Sequence, residues 1–156
     1  MAHGHKYIWQ SLPRALELWF DYYREQHSDP KITTFMRQEL KKLESYKIAT
    51  VLQLLLSRFG HEKKEVRDTI ADTLSHLAVK YPGHCAWWIF HFHFFEEAKP
   101  APANRGNKPI TRAQFSDEIL QRILKLDIDA SRKIMESETL FGDLKKLSEK
   151  EVKDMK

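Results

Sequence analysis

Five apolar side chains, Val66, Ile70, Leu74, Leu77 and Tyr81, do most to restrict what this chain can fold into. Steps of three and four residues bring all five to one face of an α-helix, whereas a strand would scatter them over both faces. A helix with one apolar face has to bury that face against other elements. Pro82-Gly83 follows at once and reads as the helix stop. The same period runs through most of the chain. Glycine is scarce, with five in 156 residues, and strong hairpin signals are absent. The expected class is therefore all-α.

Reading along the chain, Leu12, Leu16, Trp19 and Tyr23 recur at helical spacing, so a first helix is expected over about His5 to His27. Pro13 falls near its start or at a kink. Ser28-Asp29-Pro30 marks a restart, with Asp29 as cap and Pro30 at the first helical position. A second helix is expected to about Tyr46. A third, from about Ala49 to Phe59, is apolar nearly all round through Val51, Leu52, Leu54, Leu55 and Leu56, and so is buried on several sides. Gly60 is its stop. The Val66 to Tyr81 stripe forms the fourth helix.

A fifth helix is expected over about His84 to Ala98. Phe90-His91-Phe92-His93-Phe94 alternates like a strand, and aromatics favour strands. No partner strand exists elsewhere in the chain, so helix is the expectation. Lys99 to Pro109, with Pro100, Pro102, Gly106 and Pro109, reads as a loop. Thr111 and Gln114 have capping-box spacing. They open a long amphipathic helix with Phe115, Ile119, Ile123, Leu126, Ala130 and Ile134 on one face. Leu140, Leu144 and Leu147 mark the last helix, and Ser148 with Glu151 fits the cap of a further short turn. Helix pairs at roughly regular spacing suggest an α-solenoid of the tetratricopeptide or HEAT kind, although no strict repeat consensus appears. The organisation is a helical segment over 1–98, a linker over 99–110 and closing helices over 111–156.

Composition narrows the setting. Apolar residues make up 42% and charged residues 31%, as in a soluble globular protein. The longest apolar run, Trp87 to Phe95, is interrupted by His91 and His93 and is too short to span a bilayer. No apolar stretch of the kind a secretory signal needs follows Met1 to Lys6. A single cysteine, Cys85, excludes an internal disulfide and a multi-cysteine zinc site, and fits a reducing compartment. The net charge of +4 comes from interleaved acidic and basic residues. There is no dense Lys/Arg run, which argues against direct nucleic-acid binding.

Several residues could carry chemistry. His84, Cys85, His91 and His93 look like metal ligands in one dimension. On a helix, however, His91 and His93 point to nearly opposite faces, and His84 and His91 lie two turns apart. A packed role, with no metal, is the expectation. His3 and His5 near the terminus could hold a metal only loosely. Cys85 reads as a buried thiol, not a nucleophile. Phe141-Gly142-Asp143 has the wrong order for a kinase Asp-Phe-Gly motif, and neither a Gly-rich phosphate loop nor a His-Arg-Asp loop accompanies it. Without those parts this chain alone has no phosphoryl-transfer machinery, and no cofactor is implied. Trp9, Trp19, Trp87 and Trp88 read as core contacts in preference to base-stacking platforms. Arg14 and Arg58 each fall inside an apolar helix, where the head group needs a partner such as Glu17, Asp21 or Asp68, or else a solvated face.

Three ordered blocks add a resemblance. The first is Gln10, Ser11, Pro13, Arg14, Leu16, Leu18, Trp19, Asp21 and Tyr22. The second is Leu55, Ser57, Arg58 and His61, and the third is Tyr81, Pro82 and Trp87. Together they resemble the FAT domain of ATR-type phosphatidylinositol 3-kinase-related protein kinases, over about His5 to Val152. The resemblance implies FAT repeats over 1–98 and, over 111–156, the last FAT helices before a kinase domain. It implies a non-catalytic scaffold that clamps and regulates a serine/threonine kinase of the DNA-damage and replication-stress checkpoint, in the nucleus. Implied partners are the kinase domain and neighbouring helical repeats of the same protein, with self-dimerisation and an ATRIP-like partner for the full-length protein. The chain departs from the family at Gly83 and His84, where glutamines are usual. It also lacks the family's large upstream solenoid and its catalytic domain, so a fragment or a truncated, divergent relative is expected. Two other classes remain open from the residues alone. One is a free-standing helical-repeat adaptor for protein or nucleic acid. The other is a small metal- or thiol-dependent enzyme around His84 and Cys85.

Overall fold

The computed structural model describes residues 7–24, 29–94 and 110–154. Every regular element among them is a helix, which establishes the all-α helical-repeat class. The chain divides into two compact units, 1–74 and 75–156. The expected 99–110 linker lies almost wholly outside the described residues, as do His3, His5 and His27.

Unit 1 contains α1 (Ile8–Arg24), α2 (Pro30–Lys42), α3 (Ser45–Ala49), α4 (Leu52–Ser57) and the first part of α5 (Lys64–Lys80). Leu12, Leu16, Trp19, Phe20 and Tyr23 form the buried stripe of α1. The helix runs through Pro13. Asp29 and Pro30 act as read: the Asp29 carboxylate accepts the Lys31 N–H at 2.9 Å, and Pro30 is the first helical residue. The second helix stops at Lys42, short of Tyr46, because Leu43 and Glu44 adopt extended backbone with ψ of 140° and 139°. Neither proline nor glycine lies between 31 and 59, so nothing in the local sequence announces this break. The third expected helix is likewise shorter, at Leu52–Ser57, and the turn begins at Arg58, two residues before Gly60. Its burial is as expected at Val51, Leu55 and Leu56, which are interior, while Leu52 and Leu54 are half-buried.

In α5 the stripe is interior at Val66, Ile70, Leu74 and Leu77, while Tyr81 sits at the surface. Arg37 of α2 reaches α5. Its Nε donates to the Thr69 hydroxyl at 3.3 Å, and its guanidinium lies 3.6 Å from the Asp72 carboxylate.

Unit 2 contains the rest of α5, then α6 (Pro82–Phe94), α7 (Arg112–Leu126), α8 (Ile128–Glu136) and α9 (Glu138–Asp154). Pro82-Gly83 ends one helix and begins the next with only Tyr81 between them, because proline suits a first helical position. Helix α6 packs against α7, α8 and α9. Cys85, Ala86, Trp88, Ile89 and Phe90 are all interior. The strand-like alternation at its end is thereby resolved. Phe90 stacks on Phe141 of α9 with ring centroids 5.3 Å apart, Phe92 lies under the Arg112 guanidinium at 5.3 Å, and His91 and His93 face outward. The buried Ser116 hydroxyl of α7 donates to the Ile89 carbonyl of α6 at 2.7 Å.

The capping box closes in both directions: Thr111 Oγ1 accepts the Gln114 N–H at 3.1 Å, and Gln114 Oε1 accepts the Thr111 N–H at 3.0 Å. The single long helix expected after it is instead two. Asp127 is extended (φ −156°, ψ 110°) and caps α8 by accepting the Ala130 N–H at 2.9 Å. Aspartate's preference for the N-cap overrides the continuous apolar period. Phe115, Ile119, Ile123, Ala130 and Ile134 are buried as read, but Leu126, beside the break, is exposed. Ser148 to Glu151 continue α9 and start no new turn.

The tryptophans divide evenly, which corrects their reading as core. Trp19 and Trp88 are interior, whereas Trp9 and Trp87 are 65% and 62% exposed. On α6 the interior residues 85, 86, 88, 89 and 90 fill most of the circumference. Trp87 falls in the remaining sector with His84 and His91. Replacing Trp88 with alanine should therefore cost about 3–5 kcal/mol. Trp87→Ala should cost only about 1 kcal/mol, the worth of one aromatic contact. Urea unfolding of both variants checks this, and equal losses would contradict it.

Candidate functional site

Three of the motif residues converge on one side chain. Phe20 of α1 is fully buried, and Trp19 stacks beside it with centroids 4.9 Å apart. The His61 ring approaches Phe20 at 6.3 Å, and the Arg58 guanidinium lies over it at 5.8 Å. Arg58 is not within a helix as expected: it follows Ser57, the last residue of α4, and bonds back to the Leu55 carbonyl at 3.1 Å. Its charge is accommodated by the electron-rich ring face, a cation–π contact. The Lys63 N–H donates to His61 Nδ1 at 3.2 Å. Arg67 of α5 donates to the carbonyls of His61 and Glu62 at 2.6 and 3.0 Å. The turn between α4 and α5 is thus held onto α1 through the side chains of Arg58 and His61, and braced from α5 by Arg67.

His61 is held below its ordinary value of 6.5, first by burial. A hydrogen bond to the Phe20 backbone and the Glu62 charge oppose the shift, while the nearby Arg58 and Arg67 charges add to it. The imidazole is neutral at pH 7 and engaged with backbone, which suits a clamp and not a proton shuttle.

The other motif residues serve their own helices. The Ser11 hydroxyl donates to the Tyr7 carbonyl at 2.9 Å, and the Ser57 hydroxyl to the Leu54 carbonyl at 2.7 Å. Leu16 is core, Pro13 half-buried, and Gln10 and Asp21 exposed. Arg14 is exposed and lies 3.7 Å from Glu17, one of its expected partners. Asp68 is engaged by Lys64 at 2.6 Å. Tyr81, Pro82 and Trp87 belong to unit 2, where the Trp87 ring lies 4.7 Å from that of Phe141.

Sequence reasoning missed Phe20 and the Arg37–Thr69–Asp72 link. Phe20 had one signal, its four-residue spacing from Leu16. Arg37 had none, since its partners lie 32 and 35 residues away.

Among the described residues no group of three or more His, Cys, Asp or Glu side chains could hold a metal ion. His84, His91 and His93 are exposed, and His93 Nδ1 is 3.2 Å from the Asp117 carboxylate. Cys85 is buried, and that burial pushes its thiol up to about 11, a rise that the neighbouring Trp88 indole only partly opposes. A thiol held protonated at neutral pH is a poor nucleophile.

Residues 31–140 match the family described as serine/threonine-protein kinase ATR-like, HEAT repeats. The chain belongs to this family. The ATR-like match takes in the second and third motif blocks, while the Gln10 to Tyr22 block precedes it. The chain is 28% identical over 94 residues to serine/threonine-protein kinase MEC1 of Candida albicans. It is 32% identical over 96 residues to serine/threonine-protein kinase ATR of Arabidopsis thaliana, and 31% over 100 to that of Oryza sativa subsp. indica. These alignments cover 56%, 54% and 55% of this chain, and the chain spans about 4% of the length of each relative. No solved structure matches. The ATR-like family description names HEAT repeats and does not name the FAT domain expected from the motif blocks.

Two outcomes test this site. Because the folded-state value of His61 is below 6.5, the unfolded chain takes up the proton first as pH falls. The stabilisation is complete above the unfolded value and is lost as pH falls from there towards the folded value. The destabilisation caused by His61→Gln should therefore be larger at about pH 7.5 than at about pH 5.5 in urea midpoints. A difference independent of pH would contradict a half-buried neutral imidazole. Cys85 should react slowly with a thiol reagent in the native chain and at the free-cysteine rate in urea; a fast native reaction would refute its assignment as an inert core thiol.

Proposed function

We propose that this chain is a non-catalytic helical-repeat segment of an ATR-like serine/threonine checkpoint kinase, working in the nucleus as part of the scaffold that holds and regulates the kinase domain. The observation that carries this reading is the match of residues 31–140 to the HEAT repeats of ATR-like kinases. The chemistry agrees with it. Arg58, His61 and Trp19, the motif residues with the most functional character, are spent on holding a turn against a helix. Contacts with the kinase domain and with neighbouring repeats follow from the reading, as do self-dimerisation and an ATRIP-like partner for the full-length protein. The narrower placement, among FAT helices that clamp the kinase domain, rests on the order of the three motif blocks.

Sequencing the full-length transcript tests the proposal. The reading frame should continue into a kinase domain with a phosphate-binding lysine and an Asp/Asn catalytic loop. An in-frame stop with unrelated sequence beyond it would overturn the reading and favour a free-standing helical adaptor.

A further inference from the structure

The contact between α6 and α9 does not end at the buried core. Phe141 of α9 touches two rings of α6, Phe90 at 5.3 Å and Trp87 at 4.7 Å between centroids. Phe90 is interior, and Trp87 carries the same interface out to the surface. Beside Phe141, Leu140, Leu144 and Leu147 follow at steps of four and three, on one helix face. They are 58%, 38% and 60% exposed. Single exposed apolar residues are ordinary on a protein surface. A tryptophan and three leucines continuing a packed ring pair are a ridge of the kind that marks an interaction site. At the ridge's edge, Asp143 and Lys146 pair with each other at 3.1 Å, so that pair supplies no net charge to select a polyanion.

We propose that this ridge is a stacking seam, and that its occupant is the next helix pair of the same repeat array, seated by its own apolar stripe. The inference rests on the reading of the chain as a segment of a longer ATR-like kinase. Two observations choose that occupant. The ridge continues the α6–α9 interface, so a further helix would extend packing that the unit already uses. A repeat that ends an array in water carries a polar outer face, and this face is apolar. The matched relatives, of which this chain spans about 4%, have ample length for further repeats.

Leu147→Lys, made in two proteins, tests the seam. One is the 156-residue chain. The other is the natural reading frame extended by one helix pair, about 40 residues. In the shorter chain the lysine stands at an exposed site, and Tm should shift by less than about 2 °C. In the extended protein the charge is forced into a packed contact, and Tm should fall by about 5 °C or more. Trp87→Ser, which also removes the contact with Phe141, should lower Tm in both proteins and by at least about 3 °C more in the extended one. Equally small shifts in both proteins would overturn the seam and leave the kinase reading standing. A reading frame that stops without further helices would overturn both. Dimerisation of the 156-residue chain, abolished by Leu147→Lys, would overturn the seam in favour of a second copy.

Discussion

A helix that is apolar on more than one side needs more than one neighbour, and this constraint organises unit 2. Cys85, Ala86, Trp88, Ile89 and Phe90 spread around most of α6, so no single partner helix could cover them. Three helices, α7, α8 and α9, share the task. The breaks at Asp127 and Ser137 follow naturally: a straight α7–α8 rod would meet α6 along one line only. Burying five such side chains, at roughly 1.5–3 kcal/mol for each large one, outweighs the lost continuity of two helix ends. Those ends also recover part of the loss, since Asp127 caps the helix it begins.

Much of this was legible from sequence, and the failures have a common cause. Features fixed by neighbours three or four residues apart emerged correctly: the Asp29-Pro30 start, the Thr111/Gln114 box and the Val66 to Leu77 stripe. The breaks after Lys42 and Leu126 did not, because the local sequence there favours continuing the helix. The same holds for Trp87 and Trp88. Adjacent, identical and both apolar, they differ only in which side of α6 the other helices occupy. For the site, the motif residues were legible as a list but their meeting point was not. Phe20, the ring that Arg58 and His61 share, gained its importance from contacts 38 and 41 residues away.

The Phe20 cluster also shows how residues that suggest catalysis can be structural. Arginine, histidine and tryptophan together invite thoughts of acid–base or nucleic-acid chemistry. Here the arginine rests on a ring face and the histidine accepts a backbone N–H. Their effect is to hold the α4–α5 turn against α1, a geometric role suited to the ATR-like HEAT-repeat family.

The hydrogen bond from Ser116 to the Ile89 carbonyl has a wider consequence. Leucines and isoleucines on facing helices adhere almost equally well if one helix slides by a turn, so a greasy interface determines closeness but not alignment. A buried hydroxyl aimed at a single carbonyl penalises every other alignment, because sliding would leave Ser116 unsatisfied in the interior. One small polar side chain thus acts as the vernier of this bundle, setting the height of α7 along α6.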